Sequence, residues 1–322
     1  MKVLFATYPT AFHTPGGGEI QLLAYRKYLA DPGIEVTLFD PWRPEFLGHD
    51  LVHYFSCVGG SYPFCAFVKR LGLKLVVSSS LWITPETRKD YPEGEIRRQL
   101  SLADRIVTNS DAETETLAEV FGLPREKFAT VLNGVDPSFF APTDPALFRS
   151  EFGVDGPFLL NVANLEPRKN HLRLAEAIAG LPGTRLVLIG AVRDPDYAKA
   201  VLAAGGKSLS HLGTLAHDSR PLRSAYAAAR LFVLPSLLET PGLAALEAAA
   251  QGAPLLVTEV GSTRDYFGAA ATYVDPHSTA SIRAGIEAAL ASPARGSFRP
   301  LVWPEAIAPL SAIYRGALEQ GR

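Results

Sequence analysis

Short apolar runs alternate with longer segments of helical period along two stretches of the chain. Residues 3–8, 35–39, 51–55, 73–77, 105–109 and 129–133 read as strands in the first stretch. Helices are predicted between them, for example over 19–30 and over 111–121 after Asn109-Ser110-Asp111. Strands alternating with helices predict a parallel, doubly wound sheet. The apolar runs are continuous rather than alternating, which suits strands covered on both faces. The pattern breaks at 134–157, where Gly134, Pro137, Pro142, Pro145, Gly153, Gly156 and Pro157 cluster. That stretch reads as a connection carrying a short helix near 146–151. The alternation then restarts, with strands at 158–162, 185–189, 231–234, 254–257 and 271–274 and a helix at 171–179. The prediction is two similar doubly wound α/β units, over 1–140 and 141–303. A last helix near 304–319, after Trp303-Pro304, completes the chain. Ligands of open parallel sheets bind beyond the carboxyl ends of the strands. Two such sheets facing each other predict an interdomain cleft.

Composition supports this picture and removes other classes. The chain has 322 residues, 47% hydrophobic and 20% charged, enough for two packed domains. The net charge of -2 offers no field for nucleic acid. The basic pairs Arg26-Lys27, Lys69-Arg70, Arg88-Lys89 and Arg97-Arg98 read as solvated faces. Cys57 and Cys65 match no metal spacing and read as thiols of a reducing cytoplasm. The first residues read as a core strand rather than a signal peptide. No apolar run reaches the roughly 18 residues that span a bilayer, so no transmembrane segment is expected.

Three segments carry candidate chemistry. The first runs from Leu234 to Glu247. Thr240 is placed to cap a helix with Pro241 at its first position, and Gly252 to stop it after Gln251. Glu239 would then lie just ahead of the helix and Glu247 about two turns in. The backbone N–H groups of Gly242 and Leu243 would form an anion site at the helix start. The spacing is equally that of an ordinary capped helix with two surface glutamates. In the second, Asn164-Leu-Glu-Pro-Arg-Lys-Asn170, Asn170 is a candidate N-cap. Arg168 and Lys169 beside a helix start suit a diphosphate, or form a solvated basic loop. The third, Gly16-Gly17-Gly18-Glu19, lets a backbone approach a phosphate or acceptor, or is simply flexible. Its length from Tyr8 suggests closure on a ligand.

Other signals are weaker. Asp194-Pro195-Asp196 has the spacing of an Asp-x-Asp metal motif but sits in a polar loop, and no metal site is predicted there. No phosphate-loop NTPase motif and no Gly-x-Ser-x-Gly elbow is present. Aromatic residues such as Trp42, Phe46, Phe64, Phe67 and Trp82 concentrate in the first unit. Most read as core. The loops 56–66 and 80–92 are candidates for an apolar acceptor or for peripheral contact with a membrane.

Taken together, the ordered segments resemble a known family. Pro235-Ser236, Glu239, seven residues, Glu247 and Ala248-Ala-Ala-Gln-Gly-Ala-Pro254 look like the signature of the family 4 retaining glycosyltransferases. Asp50-Leu-Val-His53, Ala103-Asp-Arg-Ile-Val-Thr-Asn-Ser110, Asn133-Gly-Val-Asp136, Leu165-Glu-Pro-Arg-Lys-Asn170 and Val274-Asp-Pro276 fit the family in the same order. The resemblance implies the GT-B fold, two facing Rossmann-like domains, with the last helix returning to the first.

The same resemblance implies roles for individual residues. Glu239 would contact the donor sugar, and Glu247 the ribose hydroxyls. Gly242 and Leu243 would hold the distal phosphate, with Lys169 and Arg168 on the diphosphate. Thr240, Gly17 and Gly18 would line the donor site. The backbone of His211-Leu-Gly-Thr-Leu215 would hold the nucleobase. Two departures stand out. Asn164 occupies a position where many members carry an arginine, and Ser80 one where many carry a histidine. The implied reaction is metal-independent transfer of a sugar from a nucleotide diphosphate sugar to an unidentified acceptor (a saccharide, a lipid-linked or a small molecule), with retained configuration and no resident cofactor. The two departures keep open a catalytically silent nucleotide-sugar binder. A GT-B sugar-nucleotide epimerase is a further alternative.

Overall fold

A computed structural model describes residues 1–13, 15–291 and 298–319. The described residues divide into two compact units. One comprises Met1–Gly134 together with Val302–Arg322, and the other Val135–Leu301.

The first unit runs β1 (Lys2–Thr7), α1 (Gly17–Tyr28), β2 (Glu35–Leu38), β3 (Leu51–Phe55), α2 (Ser61–Arg70), β4 (Lys74–Ser78), α3 (Glu93–Leu102), β5 (Arg105–Thr108), α4 (Asp111–Phe121) and β6 (Phe128–Thr130). Its six-stranded sheet has the order β2-β1-β3-β4-β5-β6, and every pairing is parallel. Every residue of β3 is buried, His53 included, as suits a strand covered on both faces. Leu4, Val52, Leu75, Val77 and Ile106 form one core with Val68, Ile96, Leu100 and Leu117 of the covering helices.

The second unit runs α5 (Pro145–Phe152), β7 (Leu159–Val162), α6 (His171–Ala179), β8 (Leu186–Ile189), α7 (Pro195–Gly205), β9 (Leu209–His211), α8 (Arg220–Ala228), β10 (Leu231–Leu234), α9 (Leu243–Ala250), β11 (Leu255–Thr258), α10 (Thr263–Phe267), β12 (Ala271–Val274) and α11 (Thr279–Ala291). Its sheet has the order β12-β11-β10-β7-β8-β9, again all parallel. The core gathers Leu159, Leu186, Leu188, Leu231, Val233 and Leu256 against Leu174, Ile178, Val201, Ile282 and Ile286.

The chain returns to the first unit as α12 (Trp303–Ala306) and α13 (Leu310–Glu319). The single helix expected at 304–319 is therefore two. α13 buries Leu310, Tyr314 and Ala317, a stripe at helical spacing. Its Tyr314 hydroxyl lies 2.6 Å from Nδ1 of the fully buried His53, whose Nε2 is 2.9 Å from Ser78 Oγ. Burial pushes His53 down to about 3, so it is a neutral link between helix and sheet.

Several expected boundaries move. The first unit ends at Gly134 rather than near 140. Phe139 packs against His217 and Tyr226, which holds the Pro137–Phe140 turn of 3₁₀-helix in the second unit. The loop expected over 56–66 is helical from Ser61. α1 begins at Gly17 rather than 19, because the Glu19 carboxylate accepts the Gly16 N–H at 2.7 Å and closes the first turn. The glycines thus form a helix start rather than a free loop. Thr14, ahead of them, lies outside the described residues.

Candidate functional site

The sheet order of the second unit places β10 between β7 and β11. The loops that leave the carboxyl ends of these three strands are therefore neighbours. They carry Arg168 and Lys169, Glu239, and Gly261.

Lys169 ends a turn of 3₁₀-helix at Pro167–Lys169. Its Nζ donates to Glu239 Oε1 at 2.6 Å, with the two side chains 15% and 5% exposed. Burial pulls Lys169 below the usual lysine range, with the Glu239 charge opposing. Burial pushes Glu239 up, but the Lys169 and Arg168 charges outweigh it and hold Glu239 below the usual carboxylate range. Arg168 is more exposed and donates to Leu238 O at 3.3 Å and to Glu166 at 3.2 Å. Glu166 also pairs with Arg193 at 3.0 Å.

The Glu239 backbone is clamped from the β11 side. Its N–H donates to Val260 O, and its carbonyl accepts from Ser262 N–H at 3.0 Å. Gly261 permits this approach, since a Cβ there would lie 2.1 Å from Glu239 O.

Helix α9 begins at Leu243, with Gly242 at its N-cap in the left-handed region, φ 87°. The expectation that Thr240 caps the helix with Pro241 at its first position is corrected. The left-handed Gly242 interrupts the helical path, so neither residue belongs to the helix. Gly242 and Leu243 remain at the helix start, where the first N–H groups have no intrahelical acceptor. Glu239 Oε2 would lie 3.4 Å from a Cβ placed on Gly242, so carboxylate and helix start are adjacent. Glu247 follows one turn into the helix and is 5% exposed. His217 Nε2 stands 2.6 Å from its Oε1, and the Tyr226 hydroxyl donates to its Oε2 at 2.7 Å.

Asn170 stands at the N-cap of α6, as expected. It has φ 60°, and its side chain makes no capping bond. Instead its Nδ2 donates to Pro235 O at 2.9 Å and Pro276 O at 2.7 Å, joining the loops after β7, β10 and β12. Asn164 Oδ1 accepts the Ala191 N–H at 3.2 Å, linking the loops after β7 and β8. Leu215 lies half-buried beyond β9, where Gly190 N–H donates to Gly213 O. Asp194 caps α7 by accepting Tyr197 N–H, a helix-start role in place of the metal spacing. Among the described residues no group of three His, Cys, Asp or Glu side chains is placed to hold a metal ion.

Comparison with known proteins matches this layout. The model of the glycosyl transferases group 1 matches residues 144–299, and that of Glycosyltransferase Family 4 matches residues 45–139. The chain belongs to the family 4 glycosyltransferases. Among the family's sequence relatives is D-inositol 3-phosphate glycosyltransferase 1 of Catenulispora acidiphila. It is 31% identical over 252 residues, covering 69% of this chain and 60% of the relative. The D-inositol 3-phosphate glycosyltransferase of Thermobispora bispora is 28% identical over 320 residues, covering 88% of this chain and 73% of the relative. The chain spans about half the length of the first three relatives, 55%, 60% and 43%. The crystal structure of HepE from Anabaena in complex with UDP-glucose superposes with a TM-score of 0.74 at 20% identity, over 99% of each chain. The two parallel six-stranded sheets are those of the GT-B fold.

The second unit thus brings the family motif residues Arg168, Lys169, Glu239, Gly242, Leu243 and Glu247 to one edge of its sheet. In the first unit, Gly17 and Gly18 open α1. Ser80 has φ 43°, and its hydroxyl donates to Gln21 and accepts from Asn109. Sequence reasoning missed His217, Tyr226, Arg193 and the clamp at Gly261. Only the glycine left a local signal, a Val-Gly-Ser turn after a strand. No helix among the described residues is long and apolar enough to cross a membrane.

Proposed function

We propose that the chain is a retaining glycosyltransferase that moves a sugar from a nucleotide diphosphate sugar to an acceptor hydroxyl in the cytoplasm. The observation that carries this reading is the Lys169–Glu239 pair at 2.6 Å, beside the helix start at Gly242. One partner suits sugar hydroxyls and the other a phosphate, so a nucleotide sugar can take both side chains at once. In this reading the bond from the anomeric carbon to the distal phosphate breaks. The acceptor oxygen bonds to that carbon from the same face, and its proton passes to the leaving phosphate. Lys169, Arg168 and the helix start offset the charge that develops on the diphosphate. The reading assigns that task to protein groups and needs no metal ion. The HepE complex with UDP-glucose supports a nucleotide sugar as donor. The inositol phosphate in the relatives' names makes such polyols the first acceptors to test.

A second reading is a catalytically silent nucleotide-sugar binder. It is favoured by Asn164, whose side chain bonds a backbone N–H where an arginine would add charge.

The test is product analysis with a panel of UDP, GDP, ADP and dTDP sugars and a set of polyol and saccharide acceptors. Transfer with the donor's anomeric configuration, lost in E239A, supports the first reading. Tight donor binding without turnover for any acceptor supports the second, and epimerised donor would sink both.

A further inference from the structure

Glu247 has both carboxylate oxygens held by the protein. Tyr226 on α8 donates to one and His217, in the segment before α8, faces the other. Tyr226 is fully buried, and burial followed by the Glu247 charge raises its phenol well above the ordinary value, so it acts as a donor. The His217 ring is held against Phe139, centroids 5.5 Å apart. Burial pulls His217 down, but the bond to Glu247 and the charges of Glu247, Asp136 and Asp218 outweigh it. Its Nε2 therefore carries the proton that points at the carboxylate. The His217 side chain is 39% exposed and that of Glu247 7%.

A carboxylate offers about four lone-pair sites, two on each oxygen. Here one site on each oxygen is filled from within, and one on each oxygen is left. Two donors arriving from different elements also fix the plane of the group. An acceptor held in this way presents two parallel sites, which match the two hydroxyls of a vicinal diol.

We infer that His217 is a positioning residue which, together with Tyr226, locks Glu247 as a two-point acceptor for the ribose diol and so selects ribonucleotides over 2′-deoxyribonucleotides. This rests on the donor-binding reading above. The rigidity matters because a mobile carboxylate can turn to meet a single hydroxyl almost as well as two. A fixed one leaves an oxygen unmet when the 2′-hydroxyl is missing.

Calorimetry on the full chain with UDP, GDP and ADP, each paired with its 2′-deoxy form, tests this. One hydrogen bond to a charged group corresponds to about tenfold or more in affinity. The wild type is expected to prefer the ribo form of its nucleotide by at least about tenfold. H217A is expected to narrow the preference several-fold while keeping its melting temperature near that of Y226F. H217Q, whose amide reaches as far as Nε2, is expected to restore the preference. A structural role alone would weaken both forms equally and leave the ratio unchanged, and that result overturns the inference. Binding with no preference in the wild type overturns it as well. If none of the nucleotides binds the wild type, the donor-binding reading fails, and this inference falls with it.

Discussion

Lys169 Nζ stands 2.6 Å from Glu239 Oε1, joining two loops 70 residues apart in the chain. Removing one member of a buried pair leaves the other uncompensated, at a cost of about 3–5 kcal/mol. E239A should therefore melt lower than the wild type, and K169A/E239A should lose less than the sum of the two single changes. Burial already depresses Lys169, so without Glu239 it is protonated only at a stability cost. That cost is present where the lysine is charged and fades as pH rises and the proton leaves. The E239A deficit should accordingly shrink toward alkaline pH. Denaturant melts of the four proteins across pH check both points, and a pH-independent deficit would contradict the second.

Asn170 makes a second, sharper case. Its Nδ2 donates to the carbonyls of Pro235 and Pro276, and the residue is 2% exposed. N170A leaves two buried carbonyls without these donors, at about 1–3 kcal/mol each. N170D is close in shape but faces the same carbonyls with an acceptor or a negative charge. It should be the less stable of the two at neutral pH. Urea titration of both variants decides the order.

Gly261 should tolerate no side chain. Its φ is 102°, and a Cβ would lie 2.1 Å from Glu239 O. The obstacle is backbone, which no rotamer change relieves. G261A should displace Glu239 and abolish most transfer, while the buried His53 network of the first unit stays intact. Activity assays alongside hydrogen exchange of the two units separate the effects. Near wild-type turnover in G261A would show that the clamp does not position Glu239.

Glu113 predicts a pH response in the first unit. It is fully buried and accepts from Ser79 Oγ at 2.5 Å, Leu81 N–H at 3.0 Å and Asn109 N–H at 2.8 Å. Burial pushes it up to about 7, with those three bonds pulling the other way. The folded value lies above the unfolded one, so its favourable contribution is complete below about 4.5 and is lost as pH rises through 7. Relative to E113Q, the wild type should lose on the order of 3 kcal/mol across that window. A constant difference between the two proteins from pH 4.5 to 8 would refute this.

Much of the fold is legible in local pattern. The strand at Leu51–Phe55 is a mainly apolar run, and it has the predicted ends. α4 is equally plain, with Ser110 capping the Glu113 N–H and Gly122 in the left-handed region at its end. The pattern misleads where a local signal has a competing use. Thr240-Pro241 resembles a helix start, yet Gly242 takes the left-handed turn that sets the true start two residues later, at Leu243. Asn170 does stand at the N-cap of α6, yet its amide serves two distant carbonyls instead of the helix. β9 is only three residues long, Leu209–His211, too short for a period to show.

Reading the residues in order was enough to settle two parallel α/β units, the family, and the identity of Glu239, Glu247 and Lys169 as candidates. These are properties of period, burial and motif, and each is written within a few neighbouring positions. Strand order settled who meets whom. Placing β10 between β7 and β11 brings Lys169, Glu239 and Gly261 together. His217 and Tyr226 reach Glu247 from 30 and 21 residues away. Periodicity reports which face of an element is buried, but it carries no record of the partner that covers it. A contact between distant side chains depends on chain crossings that long-range packing selects, and so it appears only once the sheets are assembled.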